Sequence, residues 1–153
     1  MRRLLRRWRR DEGGSILVES ILVFTAVTVL TVGLVEFGSL LWQRSQMHIG
    51  VRDAARYISR CPLPTQPTLP TENSTPWCNQ TIARNIALRG TLDDTGPLRV
   101  PNWTENGGVE FQVENGVVAV TGTFTYTGSP LFGALRIRPI TMEYTHQQRL
   151  IGW

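Results

Sequence analysis

The chain has 153 residues, 16 of them basic and 12 acidic, for a formal charge of +4, and only two cysteines. Every basic residue is an arginine, and the first 14 residues carry six of them (Arg2, Arg3, Arg6, Arg7, Arg9, Arg10) against Asp11 and Glu12, a surplus equal to the whole net charge. The remainder is balanced, which argues against nucleic-acid binding, as no basic face interleaved with aromatics is present to carry it.

After this leader, Ile16 to Trp42 reads ILVESILVFTAVTVLTVGLVEFGSLLW, in which only Glu19 and Glu36 are charged. As a helix the stretch is ~40 Å long, against a hydrocarbon core of roughly 30 Å, so it can cross a bilayer. A cleaved secretory signal would have an apolar run of about 7–15 residues followed by a small-x-small site; here the run is far longer and WQRSQMHIG follows. The paired arginines raise a twin-arginine export signal, which the length and apolarity of the run oppose. Arginines near the two ends set orientation: the leader is denser than the far flank of Arg44, Arg52, Arg56 and Arg60. The N-terminus is therefore expected inside, and everything from about residue 43 outside the cytoplasm.

The helical pattern continues past the apolar run. Met47, Val51, Ala54 or Ala55, and Ile58 recur at steps of three and four, forming one apolar stripe. Proline is absent up to residue 61, and Cys61-Pro62 closes the helix, because a residue before proline resists helical dihedrals. One helix from about 16 to 60 is expected, apolar all round in its first part and amphipathic in its second. The second part needs a surface to lie on.

Glu19 stands just inside the apolar run, preceded by Gly13-Gly14. The glycines offer an extended, side-chain-free stretch for a protease. A cut between Gly14 and Ser15 would make Glu19 the fifth residue of the new chain and place a fresh α-amine in the same polar zone. A carboxylate of one subunit pairing with the amine of its neighbour would offset two desolvation costs and fix register. Without such a role, Glu19 is an interfacial carboxylate that snorkels to the headgroups. Glu36 lies ~26 Å further along, where it either snorkels likewise or meets an arginine of another subunit; Trp42 suits an interfacial belt.

The arginine-rich leader, GGSILVES, the apolar helix, GLVEFGSLLWQRSQ and VRDAARYIS together resemble the TadE-like family of minor pilin-like proteins of the tight-adherence (Tad) pilus, over residues of about 13 to 60. The resemblance implies prepilin-peptidase cleavage after Gly14, Ser15 as the new N-terminus and Glu19 as the assembly and recognition carboxylate. It also implies a bacterial inner-membrane location, a role in cell adhesion through the pilus, and as partners the peptidase and other pilin-like and Tad assembly subunits. Ser20 departs from the family pattern, which usually has an aromatic there.

Cys61 to Cys78 is proline- and threonine-rich, a hydrated loop without a core. The two cysteines most simply pair with each other, and closing a loop of this size is worth ~3 kcal/mol in the chain-entropy model. NQTIARNIALRG then reads as a short helix capped by Gly90. A brief strand at Leu98 to Val100 is expected within a loop, and Asp93-Asp94 reads as a turn rather than a metal or acid pair. VEFQVENGVVAVTGTFTYTG is a hairpin: Val109, Phe111 and Val113 alternate with polar residues, and Asn115-Gly116 is the preferred type I′ pair. Gly122 marks either a bulge or a close helix approach. RIRPITMEYTH reads as a third strand, with Pro139 placing it at an edge or a bulge.

The domain plan is a basic leader (1–14), a transmembrane helix (15–42), its amphipathic continuation (43–60), a disulfide-closed loop (61–78) and an extracytoplasmic α+β domain (79–153). The fold class is α+β and pilin-like, a long N-terminal helix packed on a small antiparallel sheet of three or four strands. Asn73, Asn79 and Asn102 begin Asn-x-Ser/Thr triplets, acceptors only in a glycosylating cell. No nucleophile–base pattern, metal motif or phosphate loop is evident, and His48 and His146 are isolated, His48 on an exposed helix position. The chain reads as a non-enzyme without cofactor or small-molecule substrate. The competing reading is an unprocessed single-pass membrane protein whose outer domain binds a ligand or partner.

Overall fold

The computed structural model describes residues 13–61, 78–103, 108–128, 132–133 and 136–151. The arginine leader, most of the proline-rich loop with Asn73, and the C-terminal pair lie outside the described residues. Helix α1 runs Gly13–Ser59, α2 spans Gln80–Leu88, and three strands follow, β1 (Val109–Glu114), β2 (Val117–Tyr126) and β3 (Ile140–Arg149). The chain falls into two units, one ending at Gly38 and the other beginning at Ser39.

The first unit is the apolar part of α1. Helix formation here leaves no backbone group to be satisfied from outside except at the ends. The interior hydroxyls follow the same economy: Ser20, Thr25, Thr28 and Thr31 each donate to the carbonyl four residues back, all at 2.8 Å. These polar side chains are thus bonded within their own helix, as an apolar surrounding requires. Gly13 and Gly14 belong to the helix, not to the extended stretch expected of them; two glycines tolerate helical dihedrals as well as extended ones, and the following apolar run propagates back through them.

The second unit is a two-layer α+β domain. The expected stripe Met47, Val51, Ala54 and Ile58, joined by Ala55, is fully buried. It packs on the inner face of an antiparallel sheet of order β1-β2-β3. From β2 that face presents Val118, Val120, Phe124 and Tyr126, all buried. Each large aliphatic so covered contributes about 1.5–3 kcal/mol. Asn115 (φ 50°) and Gly116 (φ 75°) both adopt the left-handed region, the type I′ geometry the pair was expected to make. Their hairpin fixes the register from Glu114↔Val117 to Val109↔Gly122.

Gly122 sits in unbroken register between Val109 and Tyr144. It is the close approach rather than the bulge: a Cβ there would lie 2.5 Å from Val51 Cγ2 and 3.3 Å from Trp103 Cζ2. Gly50 on α1 plays the matching part, since a Cβ there would strike the Ala87 carbonyl oxygen and come within 3.3 Å of Trp103 Cη2. The Trp103 indole, 1% exposed, is thereby admitted beside both glycines. Its Nε1 donates to the Gly108 carbonyl at 3.0 Å, which removes the cost of burying an N–H.

Helix α2 is capped by Asn79, whose side chain accepts from the Ile82 amide at 2.7 Å. At its other end Gly90 (φ 79°) returns its amide to the Ile86 and Asn85 carbonyls. Cys61 and Cys78 form a disulfide with Cα atoms 5.8 Å apart, joining the end of α1 to the start of α2.

Three further expectations are revised. Leu98 to Val100 is not a strand; the Arg99 amide bonds the Leu88 carbonyl at 2.7 Å and its guanidinium pairs with Asp53 at 3.0 Å, so this stretch is fixed to the helices rather than the sheet. The third strand is an edge strand, as Pro139 led one to expect, but its bounds differ: it begins after Pro139 and extends to Arg149, since proline lacks the amide a ladder needs and so stands before the strand. His48 is half-buried rather than free in solvent: its ring stacks on Tyr144 of β3 at 3.9 Å, because the sheet covers that side of α1.

Candidate assembly surface

The positions that the sequence suggests for processing and recognition, Gly14, Ser15, Glu19 and Glu36, all lie on the first unit. Gly14, Ser15 and Glu19 are exposed on α1. Glu19 makes no hydrogen bond or ion pair with any described residue, and Gly14 has nothing within 4 Å of where a Cβ would stand. One helical turn separates position 15 from position 19, so both project from one side of the helix, ~6 Å apart along its axis. Ser15 and Glu19 thus lie together on the exposed start of the helix.

Glu36 differs from Glu19. It is buried, 7% exposed, and already engaged within the chain. A carboxylate so covered does not snorkel to headgroups; the two acids of the apolar run are not equivalent, and periodicity alone did not distinguish them.

Around and between them lies a surface that the other described residues leave uncovered. Ile16, Leu17, Val18, Ile21, Leu22, Val23, Phe24, Val27, Val29, Leu30, Leu34, Val35 and Phe37 are each more than half exposed. At 100° per residue these positions surround the helix. Contiguous exposed apolar surface beyond a few hundred Å² is foreign to a water-facing monomer. The helix is long and apolar enough to cross a membrane, and none of its most apolar window is buried by the rest of the chain.

The second unit offers no competing chemical centre among its described residues. Asp93 accepts from the Thr95 hydroxyl at 2.9 Å and from its amide at 3.4 Å, a turn rather than half of an acid pair. Its carboxyl is held below the usual range chiefly by the Thr95 hydroxyl. The described residues hold no group of three or more His, Cys, Asp and Glu able to bind a metal. Asn79, the first residue of a glycosylation triplet, is occupied as a helix cap. Sequence reasoning passed over two structural residues, Asn79 and Trp103. The first was legible, because an Asn immediately before a helical pattern is a cap signal; the second was not, because nothing local says that a tryptophan in a loop folds back under a helix.

Residues 14–56 match a family model described as TadE-like protein. No curated protein and no solved structure matches the chain.

Proposed function

We propose that this chain, TadE-like from Gly14 through most of α1, is a membrane-anchored minor pilin-like subunit of a Tad-type pilus, made with a basic leader and cut between Gly14 and Ser15. The observation that carries the reading is the helix surface from Ile16 to Val35, apolar on every side and left uncovered by the other described residues. Lipid covers it while the subunit waits in the inner membrane, with the leader in the cytoplasm and the α+β unit outside. Neighbouring helices cover it when subunits assemble.

The cut changes the charge at one end of that surface. It removes six arginines and leaves the Ser15 α-amine one turn from Glu19. Within one chain the two groups are an i, i+4 pair worth only a few tenths of a kcal/mol at a wet helix end. Between adjacent helices in an apolar surrounding the same pair is far stronger, since an unpaired charge left there is costly. Glu19 is free to act in this way. Glu36 would first have to leave its present environment, so its recognition role is secondary and belongs to a later step. The α+β unit supplies contacts particular to this subunit, and its disulfide suits an extracytoplasmic setting.

Intact-mass and N-terminal sequencing of the protein from its host's membrane fraction test the reading. The expected chain begins at Ser15; recovery with Met1 through Gly14 attached sinks the processed-pilin reading. Glu19→Ala is expected to insert and fold normally but to lose co-purification with other pilus components by an order of magnitude or more, following the ~2.5–3.5 kcal/mol scale of a charge in the apolar layer. Undiminished co-purification removes the role given to that carboxylate.

A further inference from the structure

We infer that the segment 136–140, which leads into β3, is a second membrane contact that sets the α+β unit down on anionic lipid headgroups through Arg136 and Arg138. This rests on the reading of α1 as the membrane span.

Three observations inside the second unit place this segment. His48 stacks on Tyr144, and Gly122, the partner of Tyr144 in the sheet, abuts Val51. From Tyr144 the strand runs four residues back to Ile140, the partner of Tyr126, a distance of about 13 Å. The same distance is roughly nine residues of helix, which brings the Tyr126–Ile140 end of the sheet level with the neighbourhood of Trp42. The opposite end is identified independently. There the Leu150 amide bonds the Gly116 carbonyl and the Ile151 amide bonds the Ser59 carbonyl, both at 2.9 Å. The sheet thus has its hairpin turn at the end of α1 and its long connection at the end where α1 enters the unit, beside the interfacial tryptophan.

The connection is built to present what it carries. Phe132 packs edge-on against Tyr126, with ring centroids 6.3 Å apart. Gly128, at φ 68°, lets the chain turn under that ring. The Ile137 amide donates to the Phe132 carbonyl at 2.9 Å and the Arg136 amide to the Gly133 carbonyl at 3.1 Å. Arg136 itself holds φ at 55°, a left-handed conformation that costs a side-chain-bearing residue. What this presents is Arg-Ile-Arg-Pro-Ile: Arg136 and Arg138 exposed, Ile137 42% and Ile140 41% exposed.

Neither arginine makes an ion pair or hydrogen bond with any described residue. The next acid along the strand, Glu143, pairs across from Thr123 on the sheet's outer face. Arg44, also exposed, adds a third cation near the entry of α1. Unpaired guanidinium groups interleaved with half-exposed isoleucines, level with Trp42, have the chemistry of a headgroup contact: each cation near an anionic surface gains on the order of fivefold in binding, and the apolar side chains reach the boundary below.

The test uses the full chain reconstituted in bilayer nanodiscs, of zwitterionic phosphatidylcholine alone or with one third phosphatidylglycerol, followed by amide hydrogen exchange. The expected result is on the order of tenfold slower exchange across residues 132–142 in the anionic bilayer, reversed by salt that screens the surface. Arg136→Gly combined with Arg138→Ser should abolish the difference. Glycine suits the left-handed dihedral, so this variant keeps the fold, and unchanged protection at Val118 and Val120 verifies that it does. Equal exchange in the two bilayers overturns the inference, as does slowing that appears only when an acidic pilus subunit is added to the zwitterionic disc. Release of the chain from membranes by alkaline carbonate would instead overturn the span itself, so the two failures are distinguishable.

Discussion

Leu34 and Met47 belong to one continuous helix, fewer than four turns apart, and live in different solvents. Leu34 is 65% exposed to whatever surrounds the chain, while Met47 is fully buried under the sheet. The two halves of α1 differ in the same sense throughout. In the first, apolar residues occupy every side and hydroxyls bond back into the helix. In the second, the buried apolar residues form one stripe, and Arg44, Arg52 and Arg56 are exposed beside it. A helix that is apolar all round tells its surroundings nothing about orientation; one with a stripe has already chosen a partner. The lesson is that the described chain leaves the first half uncovered and completes the second.

Glycine substitutions give the sharpest way to break that contrast. Gly33 and Gly38 have open space where a Cβ would go, whereas at Gly50 it would strike the Ala87 carbonyl, a backbone group of α2 that cannot swing aside. Gly50→Val is expected to destabilise the α+β unit by about 3 kcal/mol, the upper part of the overpacking range. For a domain of this size that lowers the unfolding midpoint by more than ten degrees, roughly. Gly33→Val is expected to leave that unit within about 0.5 kcal/mol of the parent. Thermal unfolding followed by near-ultraviolet circular dichroism in detergent measures both. Equal losses would mean that the first half of the helix is packed within its own chain after all.

How much of this was legible beforehand divides along the same line. The apolar run, the Met47–Ile58 stripe, the Asn115-Gly116 hairpin and the cysteine pair are local signals, and each appears where its residues lie. Gly122 was readable as one of two devices, and only the helix across from it decides between them. What failed to show was long-range. Trp103 is core because Gly50 and Gly122, far away in sequence, leave room for it. Arg99 leaves the expected strand because Asp53 lies within 3.0 Å across the fold. At the assembly surface the exposed state of Glu19 followed from its place in the run, but the burial of Glu36 did not, since both acids sit in equally apolar neighbourhoods of the sequence.

His48 offers a gentler perturbation confined to the covered half. It lies beyond the apolar run, stacked on Tyr144, with its Nε2 buried and without a hydrogen-bond partner among the described residues. Its pKa is lowered from 6.5, first by burial and then by Arg44 and Arg52. His146, two residues along β3, is the other imidazole near Tyr144, at 6.4 Å between ring centroids. In the unfolded chain His48 takes its proton near pH 6.5, while the folded protein resists until the pH is lower. Between those two values the unfolded state binds more protons, so stability falls as the pH drops through that window and is flat above it. Unfolding midpoints at pH 7.5 and 5.5 are expected to separate by a few degrees more in the parent than in His48→Phe, which keeps a ring against Tyr144 and has nothing to titrate. Acid-induced loosening should appear first as faster amide exchange in β3 around Tyr144, while the helix below Gly38 holds its protection unchanged. A variant that shows the parent's full pH dependence would place the titrating group elsewhere, with the carboxylates or His146.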